Sequence, residues 1–161
     1  MKPTVYLETT IIGYLAMRPS RDLIVASNQQ LTRDWWDNHR HNYEPVISRF
    51  VIEECASGDP EAAQERSEFM KSLSMLQETG EVEPLAKAII KGINLPLKAV
   101  VDAYHISAAA VNGIEYLLTW NFTHIANPAL RFRIERICRD AGYEPPAICT
   151  PQELMGINHA T

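Results

Sequence analysis

Apolar positions come in two rhythms along this chain. Val5 to Leu7 is a short run rich in apolar side chains, whereas from Ile11 to Met17 they recur at helical spacing. The first pattern predicts a buried strand over Pro3–Leu7 and the second a helix capped by Thr9 or Thr10. Arg21 to about Arg40 carries Leu23, Ile24, Leu31, Trp35 and Trp36 among polar residues, a looser helical pattern. Pro45–Ser48 (PVIS) reads as a second strand, and FVIEECA starts another helix. Asp59-Pro60 opens a polar helix through Glu61 to about Leu73, with proline where a helix tolerates it.

Two more helices are predicted over Glu83–Gly92 and Leu97–Asn112, the second closed by Gly113. Ile114–Trp120 (IEYLLTW) is the strongest strand signal and ends at Asn121. Pro128 to about Ala141 returns to helix, Ala147–Cys149 is a last short strand, and PQELMG begins the tail. Strands alternating with helices call for parallel pairing with helices on the faces, an α/β fold. No internal repeat, linker or low-complexity segment interrupts the pattern, so residues 1–161 form one expected domain with its core over about 3–151.

Composition narrows the class without changing the fold. Hydrophobic residues make up 46% and charged residues 22% of 161 residues, the balance of a globular protein. No apolar run reaches the roughly 20 residues that span a bilayer, and MKPTVYLE has no signal-peptide pattern, so a cytoplasmic protein without a membrane partner is expected. Cys55, Cys138 and Cys149 are odd in number with no CxxC spacing, and are expected to be small buried hydrophobes. A net charge of −5 argues against coating nucleic acid by bulk electrostatics, but not against meeting phosphate through a bound cation.

The candidate chemistry lies at the strand ends, where open α/β sheets gather ligands. Glu8 follows the first strand and Asn121 the IEYLLTW strand, while Glu54 and Asp102 sit in helices able to reach the same edge. Converging, these groups make an oxygen-rich pocket suited to Mg²⁺ or Mn²⁺. Each has an ordinary role too. Glu8 can serve the positive end of the following helix, Glu54 can be solvated like Glu53, Asp102 can pair with Lys98, and Asn121 can cap a turn. His105, three residues after Asp102, is expected to pack or hydrogen-bond. His39 and His41 read as a solvated helix end, and Trp35, Trp36 and Trp120 as core. Arg131, Arg133, Arg136 and Arg139 either guide phosphates or pair with acidic neighbours.

In order, these residues resemble the PIN domain: an acid after the first strand, Ser48 with Glu54 six residues on, DAYHISAA from Asp102, and LLTWN ending at Asn121. The likeness runs from Val5 to about Pro151, and SRFVIEECASGDPEA resembles the small bacterial VapC-like toxins. The resemblance implies a three-layer α/β/α fold with a doubly wound parallel sheet of four or five strands. It also implies a metal-dependent endoribonuclease, homodimers, and in the toxin branch a cognate antitoxin that blocks the site. Carried over position by position, Glu8, Glu54 and Asp102 are the implied Mg²⁺ or Mn²⁺ ligands and Asn121 orients water or RNA substrate. Thr9 and Thr119 line the site; the residues themselves, not the resemblance, offer Arg131 and Arg133 of the basic cluster as substrate contacts. Two positions depart from the family pattern. Glu8 stands where Asp is usual, and Asn121 where Asp is frequent, leaving three formal negatives, enough for one divalent ion and lean for two. The alternatives are a PIN-like module that binds a protein or RNA without cutting it, and a metal-dependent phosphatase or other hydrolase on a similar sheet.

Overall fold

A computed structural model describes residues 1–157 of the chain. Five strands, β1 (Thr4–Leu7), β2 (Glu44–Ile47), β3 (Ser74–Met75), β4 (Tyr116–Leu118) and β5 (Ala147–Cys149), form one parallel sheet in the order β3-β2-β1-β4-β5. Helices α1 (Thr9–Ala16), α2 (Leu23–Asn38), α3 (Arg49–Cys55) and α4 (Pro60–Met70) precede β3. Next come α5 (Val82–Gly92), α6 (Val100–Val111), α7 (Pro128–Asp140) and α8 (Pro151–Ile157). Contacts sort most of them into two sets, α1 with α2, α3 and α4, and α5 with α6 and α7, the outer layers of an α/β/α sandwich. Covered on both faces, the inner strands carry apolar runs instead of an alternation. Val5, Tyr6, Leu7, Leu117 and Leu118 are all fully buried.

Several ends differ from the sequence reading, each for a local reason. Glu8, not Thr9 or Thr10, caps α1, because its carboxylate reaches the Thr10 N–H. The helix expected from Leu97 begins at Val100 after a 3₁₀ turn over Leu97–Ala99, which puts Asp102 in the first turn of α6. Gly113 closes α6 at φ +67°, where Ile114 N–H turns back to the Ala109 carbonyl, so Ile114 belongs to the helix end and β4 starts later. Strand β3 left no apolar run to read, since both of its residues are exposed. The tail after β5 coils into α8. Thr150 and Glu153 exchange hydrogen bonds of 3.0 and 3.1 Å, a capping box that the letters T-P-Q-E already spelled.

The three cysteines are buried and unpaired, with burial pushing Cys55 and Cys138 up to about 11 and Cys149 up to about 12. Trp35, Trp36 and Trp120 lie in the core, and His41 is exposed in the 3₁₀ turn over Arg40–Asn42 that follows α2. No helix among the described residues is long and apolar enough to cross a membrane.

Candidate active site

Strand order reverses at β1, with β2 on one side and β4 on the other, and such a switch point opens a crevice at the carboxyl ends of the strands. Glu8 leaves β1 there and Thr119 to Asn121 leave β4. The Glu8 N–H bonds the Leu118 carbonyl at 3.1 Å, tying the two strand ends together.

Glu8 is 3% exposed, so its carboxylate needs donors. Oε1 accepts from the hydroxyls of Thr10 and Thr119, each at 2.6 Å, and Oε2 accepts from the Thr10 N–H at 3.2 Å. The added methylene of Glu relative to Asp is taken up in this curl back onto α1. Capping the helix and facing the crevice are therefore one placement, not rival ones.

Glu54, in the last turn of α3, points to the same place. It accepts from the Thr9 hydroxyl and from His105 Nε2, both at 2.5 Å. Burial acts to raise its pKa, but the hydrogen bonds of His105 and Thr9 and the positive charge of His105 outweigh it, holding the carboxyl below its ordinary value. His105 is fully buried, with Nδ1 2.7 Å from the Tyr6 hydroxyl, which in turn lies 2.6 Å from Ser48 Oγ. Ser48 also caps α3 through the Phe50 N–H, so a chain of polar contacts links the start of that helix to the glutamate near its end. Burial holds the Tyr6 phenol protonated well above its usual range.

Donor atoms of Glu8, Glu54 and His105 all lie within 4.8 Å of one another. Asp102, expected as the third ligand, stands outside this triangle. Its Oδ2 contacts His124 Nδ1 at 3.1 Å. Burial raises the Asp102 carboxyl above its ordinary value, and hydrogen bonding from Asn121 with the charges of His105 and His124 only partly opposes it. Asn121 Oδ1 accepts from the His124 N–H at 3.1 Å and so shapes the loop that carries His124. The pairing of Asp102 with Lys98 weighed from sequence is replaced by this contact.

His105 packs and hydrogen-bonds as the sequence led one to expect, but its place beside the two glutamates was not foreseen, and His124 was missed altogether. The D-A-Y-H spacing marked His105 as a neighbour of Asp102, but which face of α6 meets α3 is a tertiary fact. Nothing local distinguished His124.

Among the described residues no Lys or Arg pairs with Glu8, Glu54 or Asp102, whose charged contacts are His105 and His124 alone. Clustered carboxylates without a Lys or Arg partner fit a bound divalent ion, and the oxygen donors suit Mg²⁺ or Mn²⁺. A cleft of about 650 Å³ runs outward from Thr9 and Glu54 between α1 and α4, past Tyr14 and Arg66. Of the arginine cluster, Arg139 pairs with Glu135 and Glu144, and Arg136 lies over the Phe132 ring. Arg133 is exposed, and Arg131 is half-buried against the Ile148 carbonyl.

No family model and no curated protein matches the chain. Solved structures do. VapBC2 from Rickettsia felis, bound to a DNA fragment from its promoter, matches at 15% identity and TM-score 0.54, over 91% of this chain and 98% of that one. VapC20 from Mycobacterium tuberculosis, a sarcin-ricin loop cleaving toxin, matches at 13% and 0.58, over 78% and 95%. FitAcB from Neisseria gonorrhoeae matches at 14% and 0.56, over 92% and 99%.

Proposed function

We propose that this chain, which has the VapC-like PIN fold, is a metal-dependent endoribonuclease and the toxin of a toxin-antitoxin pair. The observation that carries the reading is the convergence of Glu8 and Glu54 at the sheet's switch point with His105 beside them and, among the described residues, no Lys or Arg paired with either. Glu8 and Glu54 would hold the cation. When bound, it supplies positive charge against a phosphate oxygen and makes water a stronger nucleophile for in-line attack.

The protein's own groups do the rest. Thr10 and Thr119 fix the Glu8 carboxylate, and Thr9 and His105 orient that of Glu54, so the carboxylates already face the crevice before charge arrives. Asp102, its carboxyl pushed up by burial although Asn121 and His124 oppose the shift, forms a further polar wall where a water or a ribose oxygen can be oriented. In this reading Asp102 contributes to the cation's charge balance through water, Asn121 orients the substrate, and Arg131 and Arg133 approach the RNA backbone. An antitoxin partner and a homodimer are proposed here by analogy with the VapC-like fold that VapBC2 and FitAcB share.

The test is cleavage of a mixed RNA pool by purified protein with Mn²⁺ or Mg²⁺, beside Asp102→Asn and Glu54→Gln. Activity that needs the cation and falls at least about 100-fold in both variants supports the reading. Equal cleavage in all three refutes the site. Tight RNA binding without cleavage favours the non-cutting module, the reading to which Glu8 and Asn121 lend most weight.

A further inference from the structure

His105 stands in the crevice as a buried imidazole where the charge-bearing positions were expected to be carboxylates. Its Nε2 edge faces Glu54 at 2.5 Å, and its donor atom shares the 4.8 Å triangle with Glu8 and Glu54. Ligands at right angles on one ion, at bonds of about 2.0–2.2 Å, lie about 3 Å apart, so admitting the ion asks the 2.5 Å His105–Glu54 contact to open by about half an ångström while the Glu8 oxygen draws in. Asp102, by contrast, is engaged by His124.

The far side of the ring is also arranged. Nδ1 meets the Tyr6 hydroxyl at 2.7 Å, and Tyr6 meets Ser48 at 2.6 Å, all buried. This relay has two hydrogen-bonded states. In one, Tyr6 donates to Nδ1 and the Nε2–H donates to Glu54, a complete arrangement without a cation. In the other, the Nε2 proton has left to solvent at the crevice and one from solvent has been taken up at Nδ1, which donates to Tyr6 while Tyr6 donates to Ser48, so that the Nε2 lone pair is released toward Glu8 and Glu54. A ligating histidine whose other nitrogen is held by a polar partner is the usual device for fixing tautomer and ring orientation at a metal.

We propose that His105 Nε2 is a direct ligand with Glu8 and Glu54, so that the site selects a first-row transition cation such as Mn²⁺ over Mg²⁺. The physical ground is donor type. Mg²⁺ binds oxygen ligands and gives up water reluctantly, whereas imidazole favours the transition ions. This rests on the cation site of the proposed nuclease and specifies its ion; RNA cleavage is not its readout.

Wild type, His105→Gln and Tyr6→Phe, stripped with chelator, are titrated calorimetrically with Mn²⁺ and with Mg²⁺, and the Mn²⁺-loaded proteins are examined by electron spin echo envelope modulation. For wild type we expect Mn²⁺ to bind about 30-fold or more tighter than Mg²⁺, with modulation from a coordinated ¹⁴N. His105→Gln should lose the nitrogen signal and bring the two affinities within about threefold, and Tyr6→Phe should weaken Mn²⁺ binding about tenfold while keeping the signal. Mn²⁺ bound by wild type without nitrogen modulation overturns the inference, leaving His105 as a positioning residue for Glu54 and the nuclease site standing. Wild type that binds neither ion overturns both. Should His105→Gln not fold, the wild-type spectrum and affinity ratio decide the matter alone.

Discussion

Glu8 and Glu54 are held by hydroxyls, and removing one hydroxyl is felt directly. Thr119 donates to Glu8 at 2.6 Å and accepts from the Asn121 N–H at 2.9 Å. Thr119→Val leaves a buried carboxylate and a backbone donor short of partners, and should cost about 1–3 kcal/mol in urea unfolding with chelator present. Thr119→Ser should recover most of it; equal losses in both variants would mean that the hydroxyl is not the cause. Glu54 gives a pH-dependent case. Its folded-state pKa is depressed, so its ionised form adds stability above the unfolded value near 4.5 that is lost as pH falls through the folded pKa. In metal-free protein the advantage of wild type over Glu54→Gln should therefore be largest near neutrality and shrink on acidification, as followed by thermal melts. A gap independent of pH would refute the assignment. These side-chain partnerships were hidden in the sequence, because Thr119 and Glu8 lie 111 positions apart and Glu54 and His105 51 apart.

Among the elements, the helix ends were the legible part. Asp59 before Pro60, Asn127 before Pro128 and Gly113 after α6 act where their residue types favour helix boundaries. Glycine substitutions separate conformational need from mere presence. Gly113 is at φ +67°, so Gly113→Ala should destabilise by about 1–2 kcal/mol. Gly13 lies inside α1 with nothing within 4 Å of a would-be Cβ, so Gly13→Ala should stabilise by about 0.5–1 kcal/mol. Chemical denaturation of the two variants checks both signs at once. Strand β3 shows the opposite situation: its two residues are exposed and pair with Val46 and Ile47 only because α4 delivers the chain to that sheet edge. Period and propensity carry no trace of such a strand.

For the whole molecule, a net charge of −5 means that RNA is not drawn in by overall attraction. Within the arginine cluster, Arg139 is already paired with Glu135 and Glu144 and Arg136 lies over Phe132, which leaves Arg133 as the exposed cation proposed to meet phosphate on the nuclease reading. Few phosphate contacts give a shallow salt dependence, with a log–log slope on the order of −1 to −2. Arg133→Glu should weaken RNA binding mostly at low salt and converge with wild type at high salt, measured by fluorescence anisotropy on the Asp102→Asn background. A salt slope unchanged by the substitution would remove Arg133 from the RNA path.

The sequence alone determined the α/β class, the parallel sheet, most helix boundaries and the candidacy of Glu8 and Glu54, because periodicity, capping chemistry and strand-end position are local properties of the chain. Which groups share the crevice was decided only in three dimensions. The approach of α6 to α3 carries His105 to Glu54, and the loop after β4 carries His124 to Asp102. Such choices depend on how whole helices dock, and a buried polar group takes whatever partner that docking leaves within hydrogen-bond reach.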